Sequence, residues 1–124
     1  MLNKEERWLL TGDGCSQGVF LFLDEAVTVE EYRRGLEKLK EVDGLYDRIF
    51  VSHTPWEAPM SLVDEVREVR DLIMKGENNP EPFSFPIVRY TDIKQAMRTV
   101  DGDRRVDGKT GNIIYRESKI FKNK

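Results

Sequence analysis

The stretch Arg7-Trp8-Leu9-Leu10-Thr11-Gly12-Asp13 decides how this chain of 124 residues folds. It is a short apolar run that a Gly-Asp-Gly turn closes, which is how a buried strand ends. A second run of this kind, Arg48-Ile49-Phe50-Val51-Ser52, is broken by His53-Thr54-Pro55. A helical pattern separates the two runs. We therefore predict two parallel strands in one sheet, joined through a helix by a right-handed crossover.

Both predicted helices carry recognisable end signals. The first begins after Thr28, which forms a capping box with Glu31, and Asp43-Gly44 supplies its stop. The second covers residues 61–75 and is followed by Gly76. Apolar residues recur at helical spacing in both patterns: Val29, Tyr32, Leu36 and Leu39 in the first, and Leu62, Val66, Val69 and Ile73 in the second.

The remaining segments are less uniform. Residues 19–23 fit either a second short strand or a buried loop segment, and residues 79–86 fit an extended connection rich in proline. For residues 93–100, helical spacing and strand alternation fit equally well. Residues 112–115 look like a final strand. The whole chain, residues 1–124, is predicted to form one domain of the α/β class.

Composition excludes several classes of partner. The chain is 39% hydrophobic and 35% charged with a formal net charge of −3, so no broad field attracts nucleic acid or an anionic membrane. The apolar run at residues 19–23 is far too short to span a membrane. A single cysteine, Cys15, excludes an intrachain disulfide and suits a reducing compartment. We expect a cytoplasmic protein that binds neither nucleic acid nor membranes.

Asp13 and His53 are the leading candidates for a functional site. Each follows one of the two predicted parallel strands, so the pair is expected at the sheet edge where open α/β folds bind ligands. Carboxylate and imidazole are good ligands for zinc, manganese or iron. A catalytic zinc normally takes three protein ligands, however, and His53 is the only histidine in the sequence. The same pattern also fits a turn aspartate and an ordinary histidine at a strand end.

Cys15 is a second candidate. With His53 as a base and Asp13 or another carboxylate orienting the imidazole, its thiol could act as a nucleophile. The position is equally explained by a small residue buried in the core. The sequence leaves both interpretations open.

At these positions the chain resembles the C-terminal half of the metallo-β-lactamase-fold hydrolases, over essentially its whole length. Residues 9–13 look like the strand-Gly-Asp element whose aspartate bridges two metals in that family. Ser52-His53-Thr54-Pro55 looks like the segment nearer the C-terminus whose histidine binds the second metal. The resemblance also favours strand over helix for residues 95–100. Further segments are similar to a bacterial branch near the glyoxalase II-like hydrolases: Gly12-Asp13-Gly14-Cys15 and residues 20–23, 29–32 and 107–115.

The resemblance implies half of an α-β-β-α sandwich, with a mixed sheet, two helices and a β-rich C-terminal tail. In complete family members, an N-terminal His-x-His-x-Asp-His motif provides the first ligands of the metal site. This sequence lacks that motif. The family's metals hold and activate water for hydrolysis, but Asp13 and His53 cannot build that site unaided. We therefore expect no hydrolase activity and no cofactor in the isolated chain, and zinc, manganese or iron if the site is completed.

Half of a sandwich also leaves one sheet face uncovered, and large exposed apolar faces are rare on monomers. One expectation is a non-catalytic homo-oligomer, such as a homodimer, that covers this face with its own copy by symmetric packing or by exchange of the C-terminal tail. The alternative is a separately encoded N-terminal half, which would make the chain a subunit of a split ester or thioester hydrolase. A stand-alone enzyme that uses Cys15 and His53 is the third hypothesis.

Overall fold

The computed structural model describes residues 2–12, 15–16, 19–21, 27–51, 57–83, 91–100 and 105–121. Within these ranges the chain is a mixed α/β protein with two α-helices and two small sheets, which confirms the predicted class. In chain order, the elements are β1 (Leu2–Asn3), β2 (Trp8–Gly12), β3 (Val19–Phe20), α1 (Val29–Lys40), β4 (Arg48–Val51), β5 (Glu57–Ala58), α2 (Leu62–Lys75), β6 (Glu81–Pro82), β7 (Ile93–Gln95), β8 (Ile113–Arg116) and a 3-10 turn (Glu117–Lys119).

The first sheet has the strand order β1-β2-β4-β5. Its centre is the parallel pair β2 and β4, in which Trp8 lies opposite Arg48 and Leu10 lies opposite Phe50. The two outer strands pair antiparallel with their neighbours. The predicted parallel pairing is therefore confirmed. The connection between β2 and β4 contains β3 as well as α1, so it is longer than a simple strand-helix-strand unit.

The second sheet has the order β3-β8-β7-β6, with β3 parallel to β8 and the other pairs antiparallel. One mixed sheet was expected, and the structure instead has two, each of them mixed. The difference arises at β3, whose backbone bonds to β8: the amide of Val19 donates to the Asn112 carbonyl at 3.0 Å, and that of Leu21 donates to the Ile114 carbonyl at 2.7 Å. In the segment predicted as either strand or buried loop, residues 19–20 are thus a short strand, and residues 22–23 lie outside the described residues.

Residues 93–100, for which periodicity was ambiguous, are not helical: residues 93–95 form strand β7 and residues 96–97 form a bend. Strand β7 pairs with β8, and Thr99 forms an isolated bridge with Arg105. The side chain of Asn112 forms two hydrogen bonds with the backbone of Met97. Asn112 Oδ1 accepts from the Met97 amide and Asn112 Nδ2 donates to the Met97 carbonyl, each at 3.0 Å. These bonds occupy backbone groups that a helix would use internally.

Helix α1 begins as predicted. Thr28 Oγ1 accepts from the Glu31 amide at 3.1 Å, and Glu31 Oε1 accepts from the Thr28 amide at 3.2 Å, which completes the capping box. The helix ends at Lys40, and the predicted stop at Gly44 belongs to the turn that follows, where Gly44 has a φ of 86°. Of the predicted apolar stripe, Leu39 is partly buried and the other three residues are buried: Val29, Tyr32 and Leu36.

Helix α2 begins at Leu62, one residue later than predicted, and ends at Lys75; Gly76, with a φ of 72°, is its C-cap. Such a left-handed position favours glycine because a Cβ atom would be strained there. The four predicted apolar residues are all buried, and Val63 and Arg70 join them on the buried face. Both helices share one hydrophobic core with the two sheets, to which the first sheet contributes Leu9, Ile49 and Val51 and the second contributes Ile113 and Tyr115.

The loop before β8 packs closely on the first turns of α2. Glu65 Oε1 accepts hydrogen bonds from the amides of Thr110 at 2.8 Å and Gly111 at 3.0 Å. A Cβ atom built on Gly111 would lie 2.7 Å from Val66 Cγ2 and 3.0 Å from the Val66 amide nitrogen. A helix backbone cannot yield easily, so only glycine fits between this loop and α2.

We predict opposite effects for two glycine-to-alanine substitutions. Gly111→Ala should lower the free energy of unfolding by about 1–3 kcal/mol, because the new methyl group must displace α2 or the loop. Gly35 is an exposed residue of α1 where an added Cβ atom would meet no neighbouring atom within 4 Å. Gly35→Ala should therefore raise the free energy of unfolding by up to about 1 kcal/mol. Urea denaturation of both variants would measure the difference. Equal changes in the free energy of unfolding would contradict the close packing of the loop against α2.

Candidate metal-binding edge

The ends of β2 and β4 form the edge at which the sequence predicts a site. At this edge Gly12, the last residue of β2, lies opposite Val51, the last residue of β4. The register shifts between Leu10 and Gly12, so that two steps along β2 match one step along β4. Such an irregularity bends a strand and changes the direction in which the following residues leave it.

Thr11 lies at the register shift and ties the edge together. Its hydroxyl Oγ1 is 2.8 Å from the carbonyl oxygen of Cys15 and 3.3 Å from that of Phe50. The hydroxyl therefore links the segment after β2 to the neighbouring strand β4. Sequence reasoning did not single out Thr11. The sequence did contain a signal for it, namely a threonine next to a glycine at the end of a strand. Hydroxyl side chains at such positions often form hydrogen bonds with nearby backbone groups.

Asp13 and His53 both lie outside the described residues, so their proximity stays a prediction. The structure does describe the strand ends that precede them. Gly12 is the residue before Asp13, and Val51 comes two residues before His53. Because Gly12 and Val51 are paired, the chain continues toward the two candidate ligands from adjacent positions on one edge.

Cys15 is fully buried, with an exposed fraction of 0%, and belongs to the hydrophobic core. Burial raises the pKa of its thiol from 9.0 to about 12, and the negative charge of Glu65 adds to the increase. A thiol with this pKa is protonated at neutral pH, whereas a nucleophilic cysteine must form a thiolate. These observations favour Cys15 as a small core residue and disfavour a catalytic pairing of Cys15 with His53.

Two buried tyrosines accompany Cys15 in the core. Burial raises the pKa of Tyr46 to about 12, and nearby Asp43, which accepts a hydrogen bond from the Tyr46 hydroxyl at 3.3 Å, contributes further. Burial likewise raises the pKa of Tyr32 well above its usual value. Both hydroxyl groups therefore stay neutral over the physiological pH range.

Sequence reasoning also missed Arg70, an arginine on the buried face of α2. Its Nε donates to the Val29 carbonyl at 3.2 Å, and its Nη2 donates to the Glu30 carbonyl at 2.9 Å. These bonds fix the first turn of α1 against α2. A signal was present, because position 70 follows Val66 by four residues and so lies on the apolar stripe.

The ligands that the sequence predicts do not by themselves fit a complete metal centre. Asp13 and His53 supply one carboxylate and one imidazole, fewer than the three protein ligands that a catalytic zinc normally needs. Within the described ranges, no group of three or more histidine, cysteine, aspartate or glutamate side chains could hold a metal ion.

No protein-family model matches the chain, and its comparison with curated proteins and with solved structures found no match. Among the helices that the structure describes, none is both long enough and apolar enough to cross a membrane.

The buried ionisable groups predict a loss of stability at high pH. The folded state keeps Cys15 protonated up to a pKa of about 12, whereas the unfolded thiol ionises near 9.0. The stabilisation is therefore complete below about pH 9 and is lost as the pH rises toward 12. Tyr46 adds a similar loss that begins near its unfolded pKa of 10.0.

Urea denaturation at stepwise increasing pH would measure this loss. The Cys15→Ala variant should lack the loss of stability that begins near pH 9 and keep the loss that the ionisation of Tyr46 causes. Iodoacetamide should label Cys15 slowly in the native protein and rapidly in urea. Native labelling at neutral pH as fast as in urea would show that the thiol is accessible and would contradict its placement in the core.

Proposed function

We propose that this chain carries part of a metallohydrolase site, with Asp13 and His53 as two of its ligands, and that it hydrolyses esters or thioesters only when a partner supplies the others. The partner would be a complementary half that carries the His-x-His-x-Asp-His motif. The observation that supports this proposal is the pairing of Gly12 with Val51, because it brings together the strand ends that lead to both candidate ligands. The proposal also rests on the resemblance to the metallo-β-lactamase-fold hydrolases described above.

The need for a partner follows from the number of donors. An ion held by one carboxylate and one imidazole keeps most of its coordination positions for water and binds weakly. Catalytic sites instead fix the ion with further protein ligands that set its geometry. Zinc, manganese and iron all accept oxygen and nitrogen donors, so each is compatible with the pair. The single cysteine also supports a proposed reducing, cytoplasmic location.

The isolated chain is predicted to bind zinc weakly, through Asp13 and His53. Calorimetry should show that Asp13→Ala and His53→Ala each remove this binding. Asp71→Ala, which removes an exposed carboxylate on α2, should leave it unchanged. Zinc binding that survives in both edge variants would refute the assignment of these residues. Tight binding that is lost in His53→Ala would show that the chain holds a more complete site than we propose.

The isolated chain should also lack zinc- or manganese-dependent esterase, thioesterase and lactamase turnover. The ligands that would hold the first metal are absent from its sequence. Assays with chromogenic substrates of each class, at equal metal concentrations and with Asp13→Ala as the reference, would measure this. Robust metal-dependent turnover that disappears in Asp13→Ala would overturn the requirement for a partner.

A second candidate function is that of a non-catalytic homo-oligomer, and the outer face of the first sheet favours it. Leu10 is 39% exposed there, and it lies opposite Phe50, which is partly exposed. Trp8 packs edge-on against Phe50, with ring centroids 6.3 Å apart. The alternating residues on the inner face, Leu9 and Ile49, are buried. A second copy of the chain that covered the outer face would remove this apolar surface from water.

We predict that the chain is not monomeric at micromolar concentration. Leu10→Lys should shift the protein toward monomer, because a charged side chain on the outer face opposes its burial. Leu45→Lys provides a matched control, since Leu45 is 38% exposed but lies in the turn after α1. Light scattering would distinguish these outcomes. A folded monomer in the unsubstituted protein would contradict the prediction, as would equal effects of the two substitutions.

A further inference from the structure

A groove of about 260 Å³ lies between α1 and α2, away from the elements that form the edge of the first sheet. Its floor includes Leu36, which is 2% exposed. Its walls are mainly charged, with three arginines and two carboxylates: Arg33 and Glu37 from α1, and Arg67, Arg70 and Asp71 from α2. A concave site with an apolar floor and a few convergent polar groups is typical of small-ligand sites.

Arg70 gives the groove a fixed cationic group. Its side chain is 10% exposed, and the two bonds to the backbone carbonyls of α1 hold the guanidinium in place. Its Nη1 contacts Asp71 Oδ1 at 3.1 Å. Because the side chain is already ordered, a ligand that bound it would lose little additional side-chain entropy.

The two carboxylates of the lining each have an arginine partner in the groove. Arg33 Nε lies 2.7 Å from Glu37 Oε1, and Asp71 is paired with Arg70. Each pair is neutral as a whole, so the carboxylates repel an anion less than their number suggests. Arg67 is the third arginine and leaves the lining with one positive charge in excess.

Arg67 is also the arginine with the weakest ion pair in the groove. Within the part of the chain that the structure describes, its ion pair is with Asp64, at 3.6 Å. Asp64 is held more closely by Lys40, whose Nζ lies 2.8 Å from Asp64 Oδ1. The guanidinium of Arg67, which lines the groove, therefore keeps hydrogen-bond donors for another acceptor. A planar guanidinium binds carboxylate and phosphate oxygens in a bidentate manner.

We propose that the groove between α1 and α2 binds a small oxyanion, namely the carboxylate or phosphate group of a small organic acid. Arg67 and Arg70 bind the oxyanion, and Leu36 contacts the short apolar body of the ligand. The volume limits the ligand to a few heavy atoms beyond the anionic group, since sites for drug-sized molecules are about 300–1,000 Å³. This inference does not depend on Asp13, His53 or a metal.

A titration followed by ¹H–¹⁵N NMR of the whole chain tests the proposal. Sodium phosphate and sodium propionate are the two probes, each at constant ionic strength, with sodium chloride as the reference because exposed charges respond to salt alone. Saturable shifts confined to the amides of residues 33–37 and 67–71 are expected with at least one probe. The probe that binds more tightly identifies the anionic group. Failure of both probes to saturate, or identical shifts in chloride, would overturn the proposal.

Two arginine variants make the test specific. Arg67→Gln should weaken binding about tenfold or more, because it removes a charge-assisted bidentate contact. Arg34→Gln removes the same charge from an exposed position of α1 that does not line this groove, and should leave the affinity unchanged. The spectra themselves report whether each variant is folded. Equal weakening in both variants would show a general effect of net charge and would exclude the groove as a site.

Discussion

The parallel pairing of β2 with β4 is the constraint on which the rest of the fold depends. Parallel neighbours cannot be joined by a tight turn, so the chain must cross from the end of one strand to the start of the other. Here the crossing first adds β3 to the second sheet and then forms α1, whose apolar stripe enters the core that both sheets share. The same pairing places both strand ends at one edge, which is the structural basis of the proposed site.

A second constraint is the buried amide of Asn112, which is 0% exposed. Its side chain bonds to both backbone groups of Met97, and its own carbonyl accepts from Val19, so one residue connects three segments of the second sheet region. Buried amides of this kind are costly to leave unpaired. A hydrophobic residue at this position would leave the amide and the carbonyl of Met97 without these partners. The polar pairing therefore explains why residues 96–97 are not helical although their apolar spacing also suits a helix.

Local signals in the sequence were sufficient for both helices and for the parallel pair. The capping box at Thr28 and the left-handed Gly76 act within a few residues, and apolar periodicity reports which helix face is buried. The second sheet was not predictable, because β3 and β6 have two residues each and β3 pairs with β8, which is distant in sequence. The same limit applies to the site: the pattern identified the strand ends, whereas the roles of Asp13 and His53 came from a resemblance and stay predictions.

The burial of Cys15 restricts the kind of metal that the proposed edge would select. Cysteine binds a metal as a thiolate, and metal binding must then displace its proton. With its pKa raised to about 12 and its side chain in the core, Cys15 is a poor ligand, although it follows Asp13 by only two residues. Of the proposed ligands, Asp13 would supply an oxygen donor and His53 a nitrogen donor, and Cys15 would add no sulfur donor. The proposed donor set would favour metals that accept carboxylate and imidazole, and the proposed partner would have to add donors of the same kind.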